Sequence, residues 1–175
     1  MKTLKSRSLM TRLCLVIMAL IGLYIWGCDQ SVPEKTKIEF TAKDSSEITK
    51  ADAKLELGSK LDDQGKYAEA LQNYLDALSV YEKLNKGNSV AKTYNLIGAI
   101  YFRQNNYELA LDYFLKSYKL ITKILEINPK DSICRNDNHK TLNNVGMVFA
   151  RQNNYKQAIT YYEQAREIAE QSGNK

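Results

Sequence analysis

A segment near the middle of the chain recurs further along it. Residues 92–114 read KTYNLIGAIYFRQNNYELALDYF and residues 140–162 read KTLNNVGMVFARQNNYKQAITYY, and the two align without gaps. Residues 53–75, AKLELGSKLDDQGKYAEALQNYL, fit the same frame more loosely. A unit of this length buries its apolar face against its neighbours, so the pattern predicts an array of about three such units.

Each copy has the same residue types at the same positions. The shared positions are a glycine (Gly58, Gly98, Gly146), a large residue three places on (Leu61, Tyr101, Phe149), an alanine (Ala70, Ala110, Ala158), an aromatic residue (Tyr74, Phe114, Tyr162) and a small residue (Ala77, Ser117, Ala165). This pattern resembles the tetratricopeptide repeat, a pair of antiparallel helices. The resemblance implies an all-α fold, a right-handed superhelix of about three helix–turn–helix repeats, at about 51–86, 91–127 and 139–172 within a domain spanning 46–175.

The repeats are longer than the usual ~34 residues of this family, because the glycines lie 40 and then 48 residues apart. The additional residues follow the second helices. Residues 77–86 and 117–127 continue the helical spacing of apolar residues, which predicts extended second helices. Residues 128–138, NPKDSICRNDN, are predicted to be a long connecting loop.

The string RQNNY occurs at Arg103–Tyr107 and again at Arg151–Tyr155. Repeat one has Gly65 where the other copies have Asn105 and Asn153. Glycine and asparagine are the residues that most readily adopt the left-handed conformation that ends a helix. The asparagines are therefore predicted to form the turn between paired helices. The arginine is the one residue of the string that the turn does not require.

The resemblance also implies a partner-binding surface, because the first helices of this family line a concave groove that holds a peptide or partner helix. The residues that map onto it in repeats two and three are Lys92, Asn95, Phe102, Arg103, Lys140, Asn143, Met147 and Arg151, with Ala99 and Ala150 between them. In repeat one they are Asp52, Leu55, Ser59, Asp62 and Asp63. The basic and amide residues resemble a clamp for a C-terminal carboxylate; the alternative is an ordinary solvated helix face.

The N-terminus has the pattern of an export signal. Basic residues precede an uncharged apolar stretch, Leu13–Trp26, which is short for a membrane-spanning helix. The letters IWGC, ending at Cys28, resemble the lipobox of bacterial lipoproteins, which implies a signal peptide at 1–27 and a lipidated Cys28 opening a flexible tether at 28–45. An uncleaved N-terminal anchor is the alternative. Either arrangement predicts a bacterial cell-envelope protein, anchored to a membrane on its extracytoplasmic side.

Charge and composition argue against two other classes of function. The net charge is +5, but four basic residues precede Cys28, which leaves 21 basic against 20 acidic residues. A nucleic-acid partner is therefore not expected. His139, the only histidine, has no metal-ligand spacing around it, and no phosphate-binding or nucleophile motif is present. The sequence predicts a protein that is not an enzyme and uses no metal or cofactor.

Two functions are compatible with these features. The first is a membrane-tethered protein–protein interaction scaffold. The second is the N-terminal sensory or regulatory region of a larger signalling protein, which requires sequence beyond Lys175. Since stacked repeats bury their apolar faces against neighbours, the apolar residues of the last helix also predict one of three arrangements there: a partner's docking surface, a longer protein of which this chain is a part, or self-association.

Overall fold

The computed structural model describes residues 41–171, and these form six α-helices joined by short turns. The helices are α1 (Ala42–Asp63), α2 (Tyr67–Lys83), α3 (Gly87–Arg103), α4 (Tyr107–Ile127), α5 (Ser132–Arg151) and α6 (Tyr155–Gln171). They pack as consecutive pairs, and each pair also packs against the next. The predicted all-α repeat fold is confirmed.

A glycine lies where the two helices of each pair cross. A Cβ atom added there would lie 2.6–2.7 Å from a ring carbon of the second helix; the pairs are Gly58 with Tyr74, Gly98 with Phe114, and Gly146 with Tyr162. Real Cβ atoms do not approach other atoms so closely. The glycines that recur in the sequence therefore allow an aromatic ring to lie directly on the backbone of the first helix.

The buried core extends along the helix pairs, from one glycine crossing to the next. Tyr74, Tyr81 and Phe114 are the largest fully buried side chains, and burying each contributes about 1.5–3 kcal/mol. Tyr162 occupies the same repeat position as Tyr74 and Phe114 but is 36% exposed, against 0% and 1%. Within the described residues, no further helix covers the outer side of α6.

The turns inside the three pairs have the predicted conformation. Gly65, Asn105 and Asn153 have φ of 73°, 59° and 59°, which is the left-handed region. The following amide closes each turn; that of Asn106, for example, donates to the carbonyl of Tyr101 at 2.9 Å. The two asparagines of RQNNY are therefore part of the fold, as the sequence predicted.

A fourth turn of this kind separates the first two repeats, where the sequence predicted continuous helix over 77–86. Helix α2 ends at Lys83, Asn85 adopts a φ of 52°, and α3 begins at Gly87. The apolar spacing did continue, but it crosses a turn. The additional residues of the repeat are thus divided between the end of α2 and the start of α3, and the first helices are lengthened as well as the second.

The predicted loop at 128–138 was wrong beyond its first four residues. Asp131 caps α5, because its carboxylate accepts a hydrogen bond from the Cys134 amide at 2.9 Å. The helix begins at Ser132, and Cys134 and Asn138 are buried on one face of it. The polar Asn138 interrupts the apolar spacing, which is why the sequence did not reveal this turn of helix.

The first helix also begins earlier than the predicted domain start at residue 46. Thr41 and Asp44 form a capping box, in which each side chain accepts a hydrogen bond from the other residue's amide. This arrangement fixes a helix start, so residues 42–45 are helical and do not belong to the predicted tether. Cys28 and the rest of residues 1–40 lie outside the described residues.

Candidate partner-binding groove

A cavity of about 410 Å³ opens on the first-helix side of repeats one and two. It is lined by Asp52, Leu55, Glu56 and Ser59 of α1 and by Lys92 and Leu96 of α3. This surface, which we call the α1–α3 groove, brings the predicted positions 52, 55, 59 and 92 together. Glu56 and Leu96 were not predicted; each lies one position after a predicted residue, on the edge of the same helix face.

The two sides of the α1–α3 groove differ in charge. Lys92 is exposed on α3, and Asp52 and Glu56 face it from α1. Asp52 accepts a hydrogen bond from the Tyr81 hydroxyl at 2.6 Å; burial, together with this carboxylate, raises the pKa of Tyr81. The groove can therefore contact both a cationic and an anionic group of a bound segment.

Asn95 is placed between helices rather than in open solvent. Its amide nitrogen donates to the Ser117 hydroxyl of α4 at 2.9 Å and to the Thr141 hydroxyl of α5 at 2.6 Å. Ser117 in turn donates to the Ala91 carbonyl at 2.8 Å. Both N–H groups of the Asn95 side-chain amide are therefore used, and they connect α3 to α4 and to α5. Asn143, its equivalent in repeat three, is exposed, so the two asparagines have different surroundings.

Arg103 contacts the preceding repeat. Its guanidinium donates to both carboxylate oxygens of Asp62, at 2.8 and 2.7 Å. The Asp62 side chain is only 7% exposed, whereas that of Arg103 is 44% exposed. Burial raises the pKa of Asp62, and the charge of Arg103 opposes that rise. The pair joins α3 to α1.

Arg151 makes the equivalent contact one repeat later. Its guanidinium carbon lies 5.8 Å from the centre of the Phe102 ring, a distance at which a cation is attracted to the ring face. Phe102 occupies the repeat position of Asp62, since each lies four residues after the crossing glycine. Both arginines of RQNNY therefore contact the preceding repeat.

Three further predicted groove residues lie on α5. Lys140, Asn143 and Met147 are spaced by three and four residues, which places them on one helix face, and all three are exposed. Met147 is 39% exposed, and exposed methionine adapts to varied partner surfaces. This face of α5 continues the repeat positions of Lys92, Asn95 and Ala99.

The titratable residues of the described part of the chain form no metal-binding cluster. Among residues 41–171, no group of three or more His, Cys, Asp or Glu side chains could hold a metal ion. Burial raises the pKa of the Cys134 thiol to about 11, so this side chain is protonated at neutral pH. In the same part of the chain, no helix is long and apolar enough to cross a membrane.

The chain is similar to several solved repeat structures. BtubC (BKLC) from P. vanneervenii aligns with a TM-score of 0.62 at 20% identity, over 71% of this chain and 48% of its own. The apo form of RapI aligns with a TM-score of 0.64 at 22% identity, over 77% and 46%. The TPR domain of Arabidopsis FLU aligns with a TM-score of 0.60 at 17% identity, over 71% and 98%.

These likenesses concern the fold. The chain spans about half the length of BtubC and of RapI, and nearly all of the FLU repeat domain. No curated protein sequence matches the chain.

Two models of the tetratricopeptide repeat match the sequence, one over residues 50–123 and one over residues 139–172. Together they cover more than half of the 175 residues and include all three crossing glycines. The chain therefore belongs to the tetratricopeptide repeat proteins, helical-repeat scaffolds for protein–protein interaction.

Proposed function

We propose that this protein is a non-catalytic scaffold that binds a peptide or partner helix in the α1–α3 groove and along the exposed face of α5. The observation that carries the proposal is the cavity of about 410 Å³ between α1 and α3, which lies within the size range of ligand pockets. It has apolar walls at Leu55 and Leu96 and charges of both signs at its rim.

Charge sets the orientation of the bound segment. Asp52 and Glu56 lie on the α1 side, whereas Lys92 and then Lys140 follow on α3 and α5. A segment with a basic residue near α1 and an acidic residue or C-terminal carboxylate near Lys92 and Lys140 complements this arrangement. Charge-assisted hydrogen bonds to a carboxylate are stronger than neutral ones.

We further propose that the scaffold is anchored to a membrane of a bacterial cell envelope through lipidated Cys28. This part of the proposal is supported by the sequence of the N-terminus. Two or more acyl chains are needed for stable anchoring, and a lipoprotein-type cysteine supplies them. Metabolic labelling with a fatty acid tests it: the wild type incorporates label and Cys28→Ala does not. Equal labelling of both proteins would contradict the anchor and leave the groove proposal untouched.

Charge reversal tests the groove. Lys92→Glu combined with Lys140→Glu should reduce the yield of proteins crosslinked to the chain in native membranes, because both proposed carboxylate contacts become repulsive. A matched control is Lys50→Glu with Lys156→Glu, which changes the net charge equally at two exposed helical positions outside the groove. An identical set and yield of crosslinked proteins in all three samples would reject the groove as the binding surface.

A second mode of interaction is favoured by the outer side of α6. Ile159 and Tyr162 are 55% and 36% exposed there, and Tyr162 is the residue whose counterparts are fully buried. We propose that a second copy or a further helical element covers this side. Light scattering across a concentration series tests self-association: a mass that rises for the wild type and stays monomeric for Ile159→Glu supports it, and a constant monomer mass contradicts it.

The sensory region of a larger signalling protein remains the alternative function. Its test is the reading frame that follows the codon for Lys175. An output domain encoded there would favour this alternative over a scaffold that acts alone.

A further inference from the structure

A larger cavity, of about 550 Å³, is lined by a different face of α3, because Val90 and Tyr94 are each two positions away from Lys92, which lines the α1–α3 groove. We call it the α2–α4 groove. Its lining comes from the end of α2 and the following turn (Glu82, Asn85), from α3 (Gly87, Val90, Tyr94) and from the second half of α4 (Lys116, Lys119, Leu120, Lys123).

The floor of the α2–α4 groove is apolar. Val90 is buried, and Tyr94 and Leu120 are partly buried. The Tyr94 hydroxyl donates to Glu82 at 2.7 Å, which fixes its ring against the floor. Burial, with a further effect of Glu82, raises the pKa of Tyr94 to about 12, so this hydroxyl stays a neutral donor. An apolar side chain of a partner fits between these three residues.

One rim is strongly cationic. Lys116, Lys119 and Lys123 are spaced by three and four residues, which places their ammonium groups along one face of α4. Lys116 is held by Asp112 at 2.7 Å and lies 4.8 Å from the Tyr113 ring centre. The ion pairs found within residues 41–171 do not include Lys119 or Lys123. Lys119 and Lys123 therefore line the cavity without forming an ion pair of their own.

The fold does not require these lysines. The equivalent positions are Asp76, Ser79 and Lys83 in repeat one, and Gln164, Glu167 and Gln171 in repeat three. A cationic face over three helical positions is therefore a property of repeat two alone, and it coincides with the largest of the cavities described above.

We propose that the α2–α4 groove is a second docking site, and that its occupant is an acidic amphipathic segment of another protein. An apolar side chain of the segment lies on Val90, Tyr94 and Leu120, and flanking carboxylates contact Lys119 and Lys123. Charge complementarity identifies this occupant. An anionic membrane surface fits less well, because a flat surface does not reach the apolar floor of the groove. The site is independent of the α1–α3 groove.

Designed peptides test the proposal directly on the full chain. The acidic probe is a fluorescent helical peptide with one leucine and a glutamate one turn before and after it. Two matched probes replace the glutamates with glutamine or the leucine with alanine. Fluorescence anisotropy should show binding of the acidic probe and weaker binding of both analogues, because one lacks the ion pairs and the other lacks the contact with the floor.

Protein variants complete the test. Lys119→Glu combined with Lys123→Glu should weaken binding of the acidic probe by roughly tenfold, because two modest exposed ion pairs become repulsions. The control Lys50→Glu with Lys156→Glu changes net charge equally and should bind like the wild type. Circular dichroism establishes that each variant is folded. An acidic probe that does not bind the wild type, or binds all proteins alike, overturns the proposal.

Vesicle sedimentation distinguishes the two candidate occupants, an anionic membrane surface and an acidic protein segment. The full chain is sedimented with phosphatidylserine vesicles and with neutral phosphatidylcholine vesicles. The proposal expects the Lys119 and Lys123 reversals to leave vesicle binding unchanged. If the reversals abolish binding to the anionic vesicles while the acidic probe fails to bind, the occupant is a lipid surface and the proposal is wrong.

Discussion

At the scale of single residues, the asparagines and the arginine of the repeated RQNNY string have separate roles. Asn105 and Asn153 are held in the left-handed conformation, and their side-chain oxygens accept hydrogen bonds from Tyr107 and Tyr155 at 2.9 Å. The left-handed turn followed from the sequence, because few residues tolerate that conformation, whereas the hydrogen bonds from the tyrosines did not. The contact of Arg103 did not, because its partner Asp62 is 41 positions away and no local rule links the two.

The crossing glycines give a prediction with a control inside the same helix. Gly98→Ala places a Cβ 2.7 Å from Phe114, a ring that is fully buried and cannot withdraw. Such overpacking costs about 1–3 kcal/mol, so we expect a lower midpoint of chemical unfolding. Gly87→Ala meets only the mobile end of Ile124 at 3.2 Å and should leave the midpoint unchanged or raise it. Equal midpoints for the two variants would contradict the close crossing.

The Asp62–Arg103 pair gives a second prediction at this scale. Arg103→Ala leaves a buried carboxylate without its partner, which we expect to lower the free energy of unfolding by about 1–2 kcal/mol, the low end because Arg103 is 44% exposed. Adding Asp62→Asn to this variant removes the unpaired charge and should restore most of the loss. If the double variant is less stable than Arg103→Ala alone, the loss arises from the packing of the arginine stem.

At the scale of helices, the boundaries were the least predictable feature. Residues 132–138 look like loop in the sequence because their buried positions are Cys134 and Asn138, which carry a weak apolar signal. The cap at Asp131 was a readable indication of a helix start. The turn at Asn85 was not predicted for a different reason, because the apolar spacing continues through it without interruption. Helix existence followed from periodicity, whereas helix ends depend on single caps and turns.

The cap of α5 predicts a pH dependence. The Cys134 amide, which donates to Asp131, lowers the pKa of that carboxyl below its usual value of 3.8. A lowered pKa in the folded state contributes stability that is present above the unfolded-state pKa and is lost as the pH falls through the folded-state pKa. The melting temperature of wild type should therefore exceed that of Asp131→Asn at pH 7.

The difference should shrink as the pH is lowered below about 4, where the carboxylate becomes protonated. Asparagine supplies a neutral acceptor at every pH and serves as the matched control, because it caps without titrating. A difference in melting temperature that is the same at pH 7 and in acid would show that the charge of Asp131 does not contribute to the cap.

At the scale of the whole described domain, three stacked repeats produce two grooves of different character. The α1–α3 groove carries charges of both signs, whereas the α2–α4 groove is apolar at its floor and cationic on one rim. The repeat pattern predicted the fold, and four of the positions that it assigned to a groove line the same cavity; that a partner binds there stays a prediction. It could not predict the α2–α4 groove, because the residues that line this cavity come from three helices of two repeats.

Site-specific photo-crosslinking tests the central claim, that a partner occupies the α1–α3 groove. A photoreactive amino acid is placed at Leu96, within the groove, and in a separate protein at Ser79, an exposed position of α2. In native membranes we predict a discrete crosslinked partner from position 96, lost when Lys92→Glu and Lys140→Glu are added, and no such product from position 79. The same product from both positions, or one at position 96 that survives the charge reversals, would contradict the account.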